Sequence, residues 1–248
     1  MNNIKQLPPA FLKARLDLIK RELSQLPRTG IGKHRQSAVI REYKPGAQYE
    51  HLIISKKGQA LLSQHERRNA LLIVKEQLES ILSSCDEASP IDPNKVPPLM
   101  GEEFWNKLES SSNNHELESD YSYKGVAMRS RGEVIIAQVL DSLGLIYKYE
   151  PTIVIDGKKY CPDFIVYLPE LKRCFVIEFL GMIDDFNYAM SNTTKLMSYL
   201  KVGMIINKDL LIFSGTRRSM TSPDEIKADI IALINKLCNI LTVANELS

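Results

Sequence analysis

The chain has 248 residues, 44% apolar and 25% charged, an ordinary balance for a globular protein that buries a core. A net charge of +2 excludes a uniformly basic or acidic chain, and the four scattered cysteines (Cys85, Cys161, Cys174, Cys238), with no Cys-x-x-Cys pair, argue against a disulfide framework or a zinc site. No apolar run approaches the roughly 18 residues of a membrane span, and residues 1–9 lack the apolar stretch of a signal peptide, so a protein of the reducing cytoplasm without membrane contact is expected.

The charge is unevenly spread. Residues 1–85 hold 15 Lys/Arg against 7 Asp/Glu, residues 86–120 hold 2 against 9, and residues 121–248 hold 15 against 14. Along residues 9–26, Leu12, Leu16, Ile19, Leu23 and Leu26 recur at steps of four and three, a coiled-coil-like seam closed by Pro27 and Gly30. Residues 31–43 and 49–55, joined across Pro45-Gly46, read as a two-stranded ribbon. Helical spacing resumes over residues 58–82 through Leu61, Leu71, Val74, Leu78 and Ile81. Residues 1–85 are therefore expected to form a basic helix–ribbon–helix module. Lys33, Arg35 and Arg41 are its candidate phosphate contacts. The seam is equally a candidate dimer or partner contact, through Leu16 and Ile19.

Residues 86–123 carry Pro90, Pro93, Pro97, Pro98, a Ser/Asn run and the acidic excess, and read as a linker holding one short helix around Trp105. A compact domain follows over residues 124–248. Ser130-x-x-Glu133 has the shape of a capping box at the start of a helix that Gly144 ends. Residues 146–155 alternate as a strand. Residues 160–181 read as a hairpin with a carboxylate on each strand. If its turn centres between Glu170 and Leu171, Asp163 falls opposite Glu178, with Cβ atoms about 5 Å apart. Like charges that close need a counter-ion, and a divalent cation held by both is the functional answer. Residues 184–201 read as a helix, 204–206 and 210–213 as short strands. Ser222-Pro223-Asp224-Glu225 opens a final helix.

Glu133 on the first helix of this domain, Pro162-Asp163 on the second strand and Glu178 on the third resemble the core of the PD-(D/E)XK nuclease superfamily, over about residues 126–215. The resemblance implies a restriction-endonuclease-like α+β or α/β core: a helix, a three-stranded antiparallel meander, a helix, further strands and a C-terminal helix. It implies a metal-dependent DNA endonuclease that leaves a 5′ phosphate. Mg²⁺, with Mn²⁺ as substitute, would be held by Asp163, Glu178, the backbone carbonyl of Phe179 and, directly or through water, Glu133. The residues alone leave Glu133 equally readable as the capping-box acid. The family places a lysine two residues after the strand Glu, where this chain has Leu180. Tyr188, Asn192, Lys195 and Tyr199 share one face of the following helix, which makes Lys195 the expected catalytic substitute and Lys201 the second choice. Glu150 is a further candidate. Arg217 and Arg218, after an apolar strand, are candidate phosphate contacts. Leu180 also motivates the alternative: a degenerate nuclease fold that binds nucleic acid or assembles without cutting.

Overall fold

The computed structural model describes residues 3–85, 90–110, 119–182, 184–216 and 219–246. The chain forms two compact units, Leu12–Ala88 and Met1–Phe11 with Ser89–Ser248. No helix among the described residues is long and apolar enough to cross a membrane.

The first unit takes most of α1 (Pro9–Gln25), then β1 (Arg28–His34), β2 (Ser37–Lys44), β3 (Ala47–Leu52) and α2 (Lys56–Leu82). The expected two-stranded ribbon is a three-stranded antiparallel sheet in the order β1-β2-β3. The added strand, Arg28–His34, pairs along its whole length with β2. Ser55 caps α2, accepting the Gly58 amide at 3.0 Å. The helices run antiparallel, with Arg67 paired to Glu22 at 2.7 Å and Lys20 to Glu79 at 3.2 Å. Leu16 and Ile19 are buried within the chain, so the seam proposed as a dimer contact is already covered.

The second unit is mixed α and β. Residues 90–110, inside the stretch read as a linker, belong to it. Met100 is buried, and α3 (Glu102–Lys107) stacks Trp105 on Tyr167 at 5.3 Å between ring centroids. After it come β4 (Glu109–Ser110), the hairpin β5 (Tyr121–Tyr123) and β6 (Val126–Met128), and α4 (Arg131–Ser142). The expected strand over 146–155 breaks at Glu150, whose φ of 44° is unusual for a side chain with a Cβ. Its halves enter different sheets: β7 (Ile146–Tyr149) pairs with β10 (Phe164–Leu168), and β8 (Pro151–Ile155) lies between β4 and β9 (Lys158–Tyr160). β11 (Arg173–Leu180), α5 (Phe186–Lys201), β12 (Leu210–Ser214) and α6 (Pro223–Glu246) complete the unit. Residues 204–206 form no strand. Only a bridge from Ile206 to Leu210 remains, because the Asp209 carboxylate accepts the Ile205 amide at 3.1 Å and closes a turn there.

The main sheet has the order β12-β11-β10-β7, with β11 parallel to β12 and antiparallel to β10. All eight residues of β11 are buried, as expected for a central strand covered on both faces. Alternation divides them. Cys174 and Val176 join Ile165, Tyr167 and Tyr199 of α5 in one core. Phe179 meets Gly132 of α4 on the opposite face, and α6 packs with α4.

Candidate active site

Asp163 stands one residue before β10. The register of β10 and β11, Phe164 opposite Ile177, sets Asp163 opposite Glu178 when carried one step further. Opposed residues of antiparallel strands project from the same face, so both carboxylates lie on the α5 side of the sheet. Asp163 is fixed twice: its Oδ2 accepts the Phe179 amide at 2.6 Å, and its carbonyl accepts the Glu150 amide at 2.9 Å. Glu178 is 1% exposed. Its Oε2 accepts from Lys195 Nζ at 2.7 Å and its Oε1 from the Tyr199 hydroxyl at 2.7 Å. Lys195 and Tyr199 are one helical turn apart on α5, which is why both reach the same carboxylate.

On the other side of the strand ends, Ser130 caps α4 by accepting the Glu133 amide at 3.2 Å. The Glu133 carboxylate reaches back: Oε1 takes the Ser130 hydroxyl at 2.9 Å, and Oε2 takes the Arg129 amide at 2.9 Å and the Tyr149 hydroxyl at 2.7 Å. Glu133 is therefore a capping acid with both oxygens engaged, and it also lines the cleft. Gly132 lets α4 approach β11, since a Cβ there would lie 2.2 Å from ring carbons of Phe179, itself 7% exposed. Gly132→Ala is expected to destabilise the chain by about 1–3 kcal/mol through overpacking. A urea melt of the variant against wild type measures this directly.

Asp163, Glu133, Glu150 and Lys195 line one cleft of about 670 Å³, together with Arg129 and Arg131. Glu150, 4% exposed, is paired to the Arg129 guanidinium, whose second contact is 3.4 Å. The chain matches no protein-family model, no curated protein and no solved structure. What the cleft can do follows from its own chemistry.

Burial, with the charge of Glu178 added, holds the Asp163 carboxyl well above the usual carboxylate range, against the pull of Lys195. Burial raises Glu178 as well, opposed by Lys195 and the Tyr199 hydroxyl. Burial and then the charge of Glu178 push the Tyr199 phenol far up, so it stays a donor. Burial, then the hydrogen bond to Glu133, does the same for Tyr149. Two carboxylates that penalise each other's charge favour a cation, and all-oxygen donors suit Mg²⁺. The Phe179 carbonyl points to the same side of β11 as its amide, toward Asp163. Among the described residues no three His, Cys, Asp or Glu side chains form a ready-made metal cluster. A metal here would rest on Asp163, Glu178, the Phe179 carbonyl, water and substrate, which is the usual poverty of protein ligands at Mg²⁺ sites.

Of the residues singled out in the sequence, Glu133, Asp163, Glu178, Lys195 and Glu150 are brought together. Lys201 is exposed at the end of α5. Lys33 and Arg35 are exposed in the β1–β2 hairpin of the other unit. Arg41 donates to Glu50 at 2.9 Å, so its charge is already answered. Arg217 and Arg218 lie outside the described residues. Arg129, Arg131 and Tyr149 were not singled out. Tyr149 pairs with Phe164, next to Asp163, so the strand register was the signal that could have found it.

Proposed function

We propose that the chain is a Mg²⁺-dependent endonuclease of the PD-(D/E)XK type, with a restriction-endonuclease-like core, that hydrolyses phosphodiester bonds of DNA. One observation carries this reading: the Lys195 ammonium lies 2.7 Å from Glu178 in the cleft that Asp163 lines. The lysine that Leu180 cannot supply from the strand arrives from α5. When bound, Mg²⁺ supplies polarisation of the scissile phosphate and a more acidic water. Asp163, Glu178 and the Phe179 carbonyl would hold the cation, and the Tyr199 hydroxyl fixes the rotamer of Glu178. Lys195 turns its ammonium to a non-bridging phosphate oxygen or to the attacking water. Arg131, on the cleft wall, answers neighbouring phosphate charge, while the guanidinium of Arg129 is held by Glu150. The basic unit engages nucleic acid through Lys33 and Arg35. A cytoplasmic site of action fits the DNA substrate and the free cysteines.

The test is conversion of supercoiled plasmid and of single-stranded circular DNA with Mg²⁺, Mn²⁺ or EDTA. Cleavage is expected with either metal and none with EDTA; cleavage indifferent to EDTA would remove the assignment. A second reading, binding without turnover, is favoured by the engagement of both Glu178 oxygens by Lys195 and Tyr199. It requires salt-sensitive DNA retention, no cut product and no calorimetric signal from Mg²⁺.

A further inference from the structure

The face of α5 turned away from Lys195 and Tyr199 carries an exposed apolar stripe. Phe186 is 77% exposed, Met190 55%, Met197 53% and Leu200 40%. At 3.6 residues per turn these four fall on one side of the helix, with Thr193 at their centre. Lys195 and Tyr199 fall on the other side. Single exposed apolar residues need no explanation, but a contiguous row of Phe, Met, Met and Leu along one helix is the kind of surface that marks an interface. Methionine and phenylalanine are enriched at interface cores.

The stripe also has an internal symmetry that chooses its occupant. Laid antiparallel on a copy of itself about Thr193, Phe186 comes opposite Leu200, and Met190 falls within one residue of Met197. The ends match in charge: the exposed Asp184 precedes the helix and the exposed Lys201 closes it. Each Asp184 therefore meets the other chain's Lys201, and the two helix dipoles oppose favourably. Self-complementarity about a two-fold is the requirement of an isologous interface. We infer that α5 is a homodimer interface, and that its partner is a second copy of this chain.

A helix of 16 residues spans about 24 Å. Alone it offers less than the roughly 800 Å² per partner of a standard interface, so the dimer is expected in the micromolar range. The inference does not depend on catalysis. Because the cleft residues Asn192 and Lys195 lie on the opposite side of α5, pairing leaves both clefts open. On the nuclease reading, the dimer presents two sites related by a two-fold, the arrangement suited to cutting both strands of a duplex.

Mass measurement of the full chain across about 1–100 µM, by sedimentation or light scattering, tests the proposal. Wild type is expected to pass from monomer to dimer. Met190→Lys with Met197→Lys is expected to stay monomeric throughout, with an unchanged circular dichroism spectrum and melt. Asp184→Lys is expected to weaken association about tenfold, and Lys201→Asp added to it to restore association, as rim ion pairs counted twice by symmetry require. A wild type that remains monomeric at every concentration overturns the proposal. So does a dimer that survives the paired lysine substitutions, which would place the contact elsewhere on the chain.

Discussion

Asp163→Asn is expected to lose metal-dependent cleavage by about 10³-fold, the scale of removing one preorganised electrostatic partner, and yet to melt at a higher temperature than wild type at neutral pH. The two effects share a cause. Burial and the neighbouring Glu178 hold the native Asp163 carboxyl well above its ordinary value. Between the ordinary carboxylate range and that raised value, the folded chain binds more protons than the unfolded chain. Stability therefore falls as pH rises through that window. Asparagine keeps an oxygen for the Phe179 amide and carries no charge, so it removes the penalty and flattens the fall. Glu178 is raised too and leaves a residual slope of the same sign. Melts from about pH 4 to 8, paired with plasmid cleavage at one pH, check both halves. A variant that still cleaves with Mg²⁺ removes Asp163 from the site. One less stable than wild type across the whole range removes the electrostatic account of the site.

The same substitution marks how far the sequence could be followed. The pairing of β10 with β11 was legible because a Pro-Glu-Leu-Lys turn joins two apolar runs, and Phe164 opposite Ile177 is the pairing that turn requires. The capping of α4 and the start of α6 were legible for a local reason as well. Ser222 and Glu225 exchange side-chain and backbone hydrogen bonds within three residues. What escaped was set by distant partners. Residues 28–34 contain two glycines and little β-branching, yet they form β1, where Gly30 and Gly32 leave room for Tyr43 and Arg41 to lie across the strand. The break at Glu150 is held by an ion pair to Arg129 and a hydrogen bond from its amide to the Asp163 carbonyl, neither visible from alternation. Residues 90–110 look like a linker by composition, but four side chains, Met100, Phe104, Trp105 and Leu108, carry them into the core. Arg131 had no signal: an arginine at a helix start is unremarkable until the cleft is seen.

Lys195→Ala is expected to lower cleavage about 10²–10³-fold, like the change at Asp163, but to shift stability in the opposite direction. Glu178 is buried, with Lys195 as its one cationic partner among the described residues and the Tyr199 hydroxyl and the Asp163 backbone as neutral ones. Removing one member of a fully buried ion pair costs about 3–5 kcal/mol. The Lys195 side chain is 21% exposed, so water can partly replace it, and a loss on the order of 2 kcal/mol is expected. Adding Mg²⁺ to the variant supplies the missing positive charge. The metal-dependent rise in melting temperature is therefore expected to be larger in Lys195→Ala than in wild type, although the variant cuts poorly. In Asp163→Asn the rise is expected to disappear. Lys201→Ala, at the exposed end of the helix, serves as the control and is expected to behave as wild type in cleavage. If Lys201→Ala is inactive and Lys195→Ala is not, the catalytic lysine has been misplaced by almost two turns of α5. If both variants cut normally, no lysine of that helix takes part. The opposed stability shifts separate electrostatics from simple damage to the fold, because damage would lower stability in both variants and would not respond to the metal.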